Sequence, residues 1–206
     1  MKKQIYFIFL SSLAVFLLSL VVISINNEKK IYYEFLELLK SDDGKIDSYL
    51  LYLSNKDFSK YLFLKGIKHF WNNEPKEGYS SLVKALSNGR LRDKEIGISK
   101  FLIGQYLLFE ENNPEGISFL TSEESYKFFH YYVNYALGIY NFNKENYDEA
   151  IEFFNLATNI PNEEIKKDIF LRIYFIETAK YKDVNENTKK TLSSVDKTLI
   201  KNLIKN

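Results

Sequence analysis

A block of 21 residues recurs three times in this chain, and the repetition constrains the fold more than any other feature. The blocks cover residues 66–86, 104–124 and 138–158, align without gaps, and begin at glycines spaced 38 and 34 residues apart. Repeats of this length are typical of chains that stack small helical units, because one unit alone buries too little apolar surface to be stable. The sequence therefore predicts an all-α protein whose helices come in repeated pairs.

Each block carries the same pattern of small and large side chains. A second small residue lies twelve positions after the leading glycine, and a large apolar residue lies sixteen positions after that same glycine. In the first two blocks the polar stretch between them contains Pro75 or Pro114, and a helix accepts proline readily only in its first turn. The spacing predicts two antiparallel helices per block that cross closely at the small residues, with one apolar face of the second helix buried.

The third block, read with its flanks as YALGIYNFNKENYDEAIEFFNLATNIP, resembles a tetratricopeptide repeat. The resemblance is partial in the other two blocks, covers residues 58–162, and implies three helix-turn-helix repeats stacked as an α-solenoid. In the second block Glu123 stands where the family has alanine, and Lys100 stands at the family's first aromatic position. The residues assigned to packing within the repeats are Gly66, Gly78, Leu82, Ala85, Gly104, Gly116, Leu120, Leu137, Gly138, Tyr147, Ala150, Phe154 and Ala157.

The resemblance also implies a binding surface, because arrays of this family use the inner faces of their first helices as a concave groove. An apolar helix or an extended peptide would suit a groove lined by aromatic and aliphatic side chains. The same residues recur at helical spacing, which is also the pattern of a buried core stripe, so both interpretations stay open. Carried over by repeat position, the predicted groove residues are Phe63, Ile67, Phe70, Trp71, Phe101, Gln105, Leu108, Phe109, Tyr135, Ile139 and Phe142.

The N-terminus has the length and composition of a membrane anchor. Residues 5–25 contain no charged side chain, and 21 helical residues are long enough to span the hydrocarbon core of a bilayer. Lys2 and Lys3 precede this run and favour a cytoplasmic position for residues 1–4. We expect a single-pass signal anchor in the bacterial inner membrane with the following domain in the periplasm. The alternative is a signal peptide cleaved after Ser24, which would release the domain.

The segments on either side of the repeats also show helical apolar spacing. Residues 26–57 are expected to form a helical hairpin or linker, and residues 163–206 to form capping helices that close the array. Within the repeats, Thr121 and Glu124 have the spacing of a capping box that would open the next helix.

Several kinds of chemistry have no support in the composition. The chain has no cysteine, which excludes disulfides, thiol catalysis and cysteine-ligated metals. His69 and His130 are the only histidines and lack a metal-ligand spacing, so we expect ordinary helix histidines, no metal, no cofactor and no enzymatic activity. After the four lysines and one glutamate that precede residue 31, 24 basic and 26 acidic residues remain, a balance that does not favour nucleic acid as a partner.

Together these features predict a membrane-anchored periplasmic scaffold or adaptor that binds other proteins. A setting in the assembly of an envelope complex, such as secretion or motility machinery, follows by analogy with the fold alone. Two alternatives remain. The chain could be the regulatory subunit of an envelope enzyme, or a structural protein that forms homo-oligomers through its own repeats.

Overall fold

The computed structural model of the chain describes Phe35, residues 37–40 and residues 45–178. All regular secondary structure in these residues is helical, with no strand, which confirms the predicted all-α class. The predicted anchor at 5–25 and the end of the capping segment, 179–206, lie outside the described residues. The helices between residues 45 and 176 are α1 (Lys45–Lys56), α2 (Phe58–Trp71), α3 (Pro75–Ser87), α4 (Asp93–Phe109), α5 (Gly116–Leu120), α6 (Glu123–Asn143), α7 (Tyr147–Ala157) and α8 (Glu163–Ile176). In this part of the chain, none of the helices has both the length and the hydropathy needed to cross a bilayer.

The chain divides into two compact units within α6. The first unit ends at Phe128 and the second begins at Phe129. At Phe129 the backbone leaves helical geometry, with φ −132° and ψ 22°, so α6 is bent where the units divide. The first unit therefore contains α1 to α5, and the second contains the greater part of α6 with α7 and α8.

The connecting turn inside each repeated block has the same construction. One residue per turn adopts a positive φ, which ends the first helix and reverses the chain: Asn73, Asn112 and Glu145. In the first and third blocks the next amide N–H donates back to the carbonyl five residues earlier, from Glu74 to His69 and from Asn146 to Asn141. Pro75 occupies the first turn of α3, where proline was expected.

The leading glycine of every block lies against the apolar residue sixteen positions later. A β-carbon added at Gly66 would come within 2.7 Å of Leu82, and one added at Gly104 would come within 2.7 Å of Leu120. At Gly138 the added carbon would meet the ring of Phe154 at 2.5 Å. Leu82, Leu120 and Phe154 are each fully buried. The repeated spacing in the sequence thus corresponds to one contact that recurs in three helix pairs.

In the second pair the two backbones themselves approach closely. A β-carbon on Gly116 would lie 2.5 Å from the carbonyl oxygen of Gly104, and one on Gly104 would lie 2.8 Å from the carbonyl oxygen of Gly116. In the first pair the second small residue, Gly78, receives the ring of Phe70 instead, at 2.6 Å from the added carbon. The remaining packing positions are buried, except for the half-buried Tyr147: Ala85, Leu137, Ala150 and Ala157.

The second helix of the second block is short, and the capping box predicted after it is wrong. Helix α5 ends at Leu120, and the hydroxyl of Thr121 donates to the carbonyl of Ile117 at 2.9 Å. The first helical bond of α6 instead runs from the amide of Tyr126 to the carbonyl of Ser122, at 2.8 Å. The side chain of Glu124 accepts a hydrogen bond from Lys100 at 2.6 Å. Both side chains of the expected box are therefore engaged by other partners.

Candidate functional site

Most of the predicted groove residues lie in the interior. Eight of the eleven are buried by the chain itself, and only Trp71, Phe109 and Phe142 keep appreciable solvent exposure. Burial at these positions is what the core-stripe interpretation predicts, and a docked peptide could reach only the three half-buried rings without local opening of the helices. The eight buried residues are Phe63, Ile67, Phe70, Phe101, Gln105, Leu108, Tyr135 and Ile139.

Gln105 is the one polar residue in this stripe and has an unusual environment. Its side chain has no solvent exposure, and within the described residues neither its amide oxygen nor its amide nitrogen forms a hydrogen bond. An unsatisfied amide in an apolar interior costs about 1–3 kcal/mol. We therefore expect an apolar side chain of the same shape at position 105 to stabilise the first unit.

A buried ion pair joins the first helices of successive blocks. The ammonium of Lys60 on α2 lies 2.9 Å from a carboxylate oxygen of Glu95 on α4, and the two side chains are only 8% and 5% exposed. The other oxygen of Glu95 accepts the backbone N–H of Arg92 at 3.0 Å, which caps the start of α4. Sequence analysis did not identify this pair, because the two residues are 35 positions apart and each resembles a surface residue. Its burial makes it a structural contact.

In the second unit a polar cluster holds α8 against α6. The hydroxyl of Tyr135 donates to a carboxylate oxygen of Asp168 at 2.7 Å, and Arg172 donates to the same oxygen at 2.6 Å. The guanidinium of Arg172 lies 5.0 Å from the ring centroid of Phe142, which contacts Phe175 edge-on at 5.7 Å. Burial, reinforced by the negative charge of Asp168, raises the pKa of Tyr135 well above its ordinary value. Tyr135 and Phe142, two predicted groove residues, are thus engaged by α8.

The two histidines have neighbours on their own helices or turns. One ring nitrogen of His69, Nδ1, lies 2.6 Å from a carboxylate oxygen of Glu74. The ring of His130 lies 3.9 Å, centroid to centroid, from that of Tyr131. No group of three metal-ligating side chains occurs in the part of the chain that the structure describes.

The surface of the first unit has three adjoining clefts, and most of the residues that line them are of polar or charged type. The clefts measure about 230, 470 and 460 Å³. Lys65 and His69 line both the first and the second, while Lys76 and Ser80 line both the second and the third. We name the second the basic cleft. Its walls come from α2 and α3 and consist of Lys65, His69, Lys76, Glu77, Ser80, Ser81 and Lys84.

Two stacked tyrosines form part of the third cleft, next to the basic cleft. The rings of Tyr79 on α3 and Tyr106 on α4 have centroids 4.9 Å apart and lie nearly parallel. The hydroxyl of Tyr106 donates to the carboxylate of Glu111. Burial, helped by that hydrogen bond, raises the pKa of Tyr106 to about 12. The phenol therefore keeps its proton well into the alkaline range and is suited to packing and hydrogen bonding.

Comparison with known proteins adds no family to this description. No protein-family model matches the chain, and neither a curated protein nor a solved structure gives a match.

Proposed function

We propose that this chain is a membrane-anchored scaffold or adaptor of tetratricopeptide-like architecture that binds other proteins in the bacterial periplasm. The observation that carries the proposal is the contact between a leading glycine and the apolar residue sixteen positions later, formed in all three helix pairs. The same packing contact within each of several small helix pairs is typical of repeat proteins, whose exposed surfaces serve as extended binding faces. The uncharged run at 5–25 supports the anchor, and Lys2 and Lys3 support the orientation.

Solvent exposure limits which of the predicted groove residues a partner could contact. Of the predicted groove residues in the first unit, Trp71 at the end of α2 and Phe109 at the end of α4 remain half-buried. The last turns of these two helices also contribute His69 and Leu107 to clefts that open to solvent. Half-buried aromatic residues are common in protein-binding surfaces, because aromatic anchors supply most of the binding free energy.

Photocrosslinking from single positions tests the proposal in native membranes. A benzophenone amino acid at position 71 or 109 of the full chain should yield a discrete adduct with one envelope protein, identified by mass spectrometry. The matched controls carry the same group in place of Tyr126 and Leu156, which are exposed but outside the predicted groove. The proposal fails if positions 71 and 109 give no adduct, or the same adducts as the controls.

A reporter enzyme fused to the C-terminus, active in only one compartment, tests the topology.

One observation favours self-association as a second candidate function. Leu51, Tyr52 and Phe58 are large apolar residues exposed by 66%, 54% and 54%, and they lie close together in sequence at the end of α1 and the start of α2. Exposed apolar surface of this kind marks many interfaces between protein copies. Light scattering of the full chain in detergent should then report a dimer or larger species that Phe58→Ser dissociates. A monomer in the unsubstituted chain excludes this candidate.

A further inference from the structure

The basic cleft carries three lysines against one carboxylate, that of Glu77. Lys65, Lys76 and Lys84 form no ion pair within the described chain, whereas the nearby Lys68 pairs with Asp47 at 2.6 Å. The ammonium of Lys65 lies 5.6 Å from the ring centroid of Tyr61, which leaves it available to an anion. On α3, positions 76, 80 and 84 are four residues apart and therefore lie on one face of the helix.

Opposing charge inside the cleft is limited. Glu77 is the one carboxylate among the lining residues, and the carboxylate near His69 belongs to Glu74 in the adjoining turn. Ser80 and Ser81 add hydroxyl groups on the α3 side. Positive charge is thus concentrated at this site, although the residues from 31 onward carry a slight excess of acidic residues. Such local concentration attracts an anionic ligand and orients it.

From this geometry we infer that the basic cleft binds an acidic peptide segment of a partner protein, with side-chain carboxylates placed between α2 and α3. The inference rests on the proposed scaffold function and assigns part of the docking surface. The volume of the basic cleft, about 470 Å³, lies within the range of roughly 300–1,000 Å³ that is typical of ligand sites. The adjoining cleft, with Tyr79 and Tyr106, continues the surface beyond Lys76, so an extended segment can pass from a charged to an aromatic environment.

The shape and lining of the cleft favour a peptide over other anions. A bilayer surface meets protruding apolar and basic side chains, whereas this site is a shallow depression lined by residues of polar or charged type. Bidentate recognition of phosphate in nucleic-acid sites is the role of arginine, and the lining of the basic cleft contains no arginine. A flexible segment with spaced carboxylates can enter the cleft and meet three separate ammonium groups.

Fluorescence anisotropy with the full chain in detergent tests the inference. The probe is a fluorescein-labelled peptide of alternating Asp, Glu and Gly, and its matched control has Asn and Gln instead. We expect the acidic probe to bind, the neutral probe not to bind, and the affinity to fall with added salt. Replacing all three lysines, as Lys65→Gln, Lys76→Gln and Lys84→Gln, should weaken binding by about tenfold, given the modest strength of each exposed ion pair.

A charge-matched variant distinguishes binding in the basic cleft from non-specific electrostatic attraction to the protein. Lys127→Gln, Lys144→Gln and Lys167→Gln together remove the same charge from exposed positions outside the cleft and should change affinity by less than about twofold. Equal weakening in both triple variants would overturn the inference, as would unchanged binding in the cleft variant. Lysine-dependent binding of phosphatidylglycerol vesicles or a single-stranded oligonucleotide, without binding of the acidic peptide, would also overturn it.

A charge swap keeps the inference testable if the triple variant fails to fold. Lys76→Glu should weaken binding of the acidic probe and allow binding of a probe with lysine in place of its acidic residues. Failure of the inference is distinguishable from failure of the scaffold proposal. Adducts from positions 71 and 109 without acidic-peptide binding would refute the cleft alone. Acidic-peptide binding without any specific adduct would refute the predicted groove and leave the cleft standing.

Discussion

Substituting Gly104 by alanine should destabilise the protein even though alanine is the better helix former. Gly104 lies inside α4, and exchanging glycine for alanine in an unobstructed helix interior stabilises by about 0.5–1 kcal/mol. Here the new β-carbon would lie 2.7 Å from Leu120 and 2.8 Å from the carbonyl oxygen of Gly116. Leu120 is fully buried, and no change of side-chain rotamer can move a backbone oxygen. The α4–α5 pair must separate to admit the methyl group.

The size of the effect follows from these two opposing contributions. Overpacking of a core typically costs about 1–3 kcal/mol, and the backbone contact places Gly104→Ala near the upper end of that range. After the gain in helix propensity, we expect a net loss of about 2 kcal/mol. For a chain of this length such a loss lowers Tm by about 4–8 °C. Gly66→Ala should lose less stability, because a β-carbon at that position would lie 3.2 Å from the nearest carbonyl oxygen, that of Gly78.

Urea unfolding followed by circular dichroism measures these differences. Ser80→Ala serves as the control for propensity, since Ser80 is exposed on α3, and it should be neutral or slightly stabilising. The expected order of stability is Ser80→Ala, then Gly66→Ala, then Gly104→Ala. A Gly104→Ala protein as stable as the unsubstituted chain would show that the α4–α5 crossing is looser than described and would refute the reasoning.

Four further substitutions have defined outcomes. Lys60→Met should lower the free energy of unfolding by about 3–5 kcal/mol, because it removes the cation that lies 2.9 Å from the buried Glu95 carboxylate, and Lys60→Met with Glu95→Gln should recover much of the loss. Gln105→Met should raise the free energy of unfolding by about 1–3 kcal/mol by removing an unsatisfied amide. Phe101→Ala should lower the free energy of unfolding by about 3–5 kcal/mol, because Phe101 is fully buried. The groove interpretation instead requires that this variant keep its helicity and lose crosslinking to the partner. The folded protein retains the Tyr106 proton up to a pKa of about 12, while the unfolded chain loses it near pH 10, so stability should fall between these values and less steeply in Tyr106→Phe.

The helix pairs were predictable because their information is local. A glycine and an apolar residue sixteen positions apart, separated by a polar turn, can meet only if the chain reverses between them. Repetition of that spacing in three blocks distinguished it from chance, and in each block the leading glycine lies against the apolar residue sixteen positions later, as at Gly66 with Leu82 and at Gly138 with Phe154. The sequence left open whether the inner stripe was groove or core, since both have the same helical period.

The polar contacts were not predictable, because they depend on which helices become neighbours. Lys60 and Glu95 belong to different blocks, and only the packing of α2 beside α4 makes a buried pair of them. The three lysines of the basic cleft are ordinary surface residues in the sequence, and they define a site only once α2 and α3 place them around one cleft. Local patterns fix helix pairs, whereas side-chain chemistry between helices requires their three-dimensional arrangement.

The departures from the repeat pattern have structural roles of their own. Lys100, at a position where an aromatic residue was expected, donates to Glu124 at 2.6 Å, and this hydrogen bond lowers the pKa of the Glu124 carboxyl. Glu123, in place of alanine, is the first residue of α6, which begins soon after α5 has ended at Leu120. A β-carbon at Gly97 would lie 2.5 Å from the carbonyl oxygen of Glu124, so α4 also contacts the start of α6 through backbone. Lys100, one of the residues that break the repeat, therefore joins α4 to the start of α6, just before the bend at Phe129.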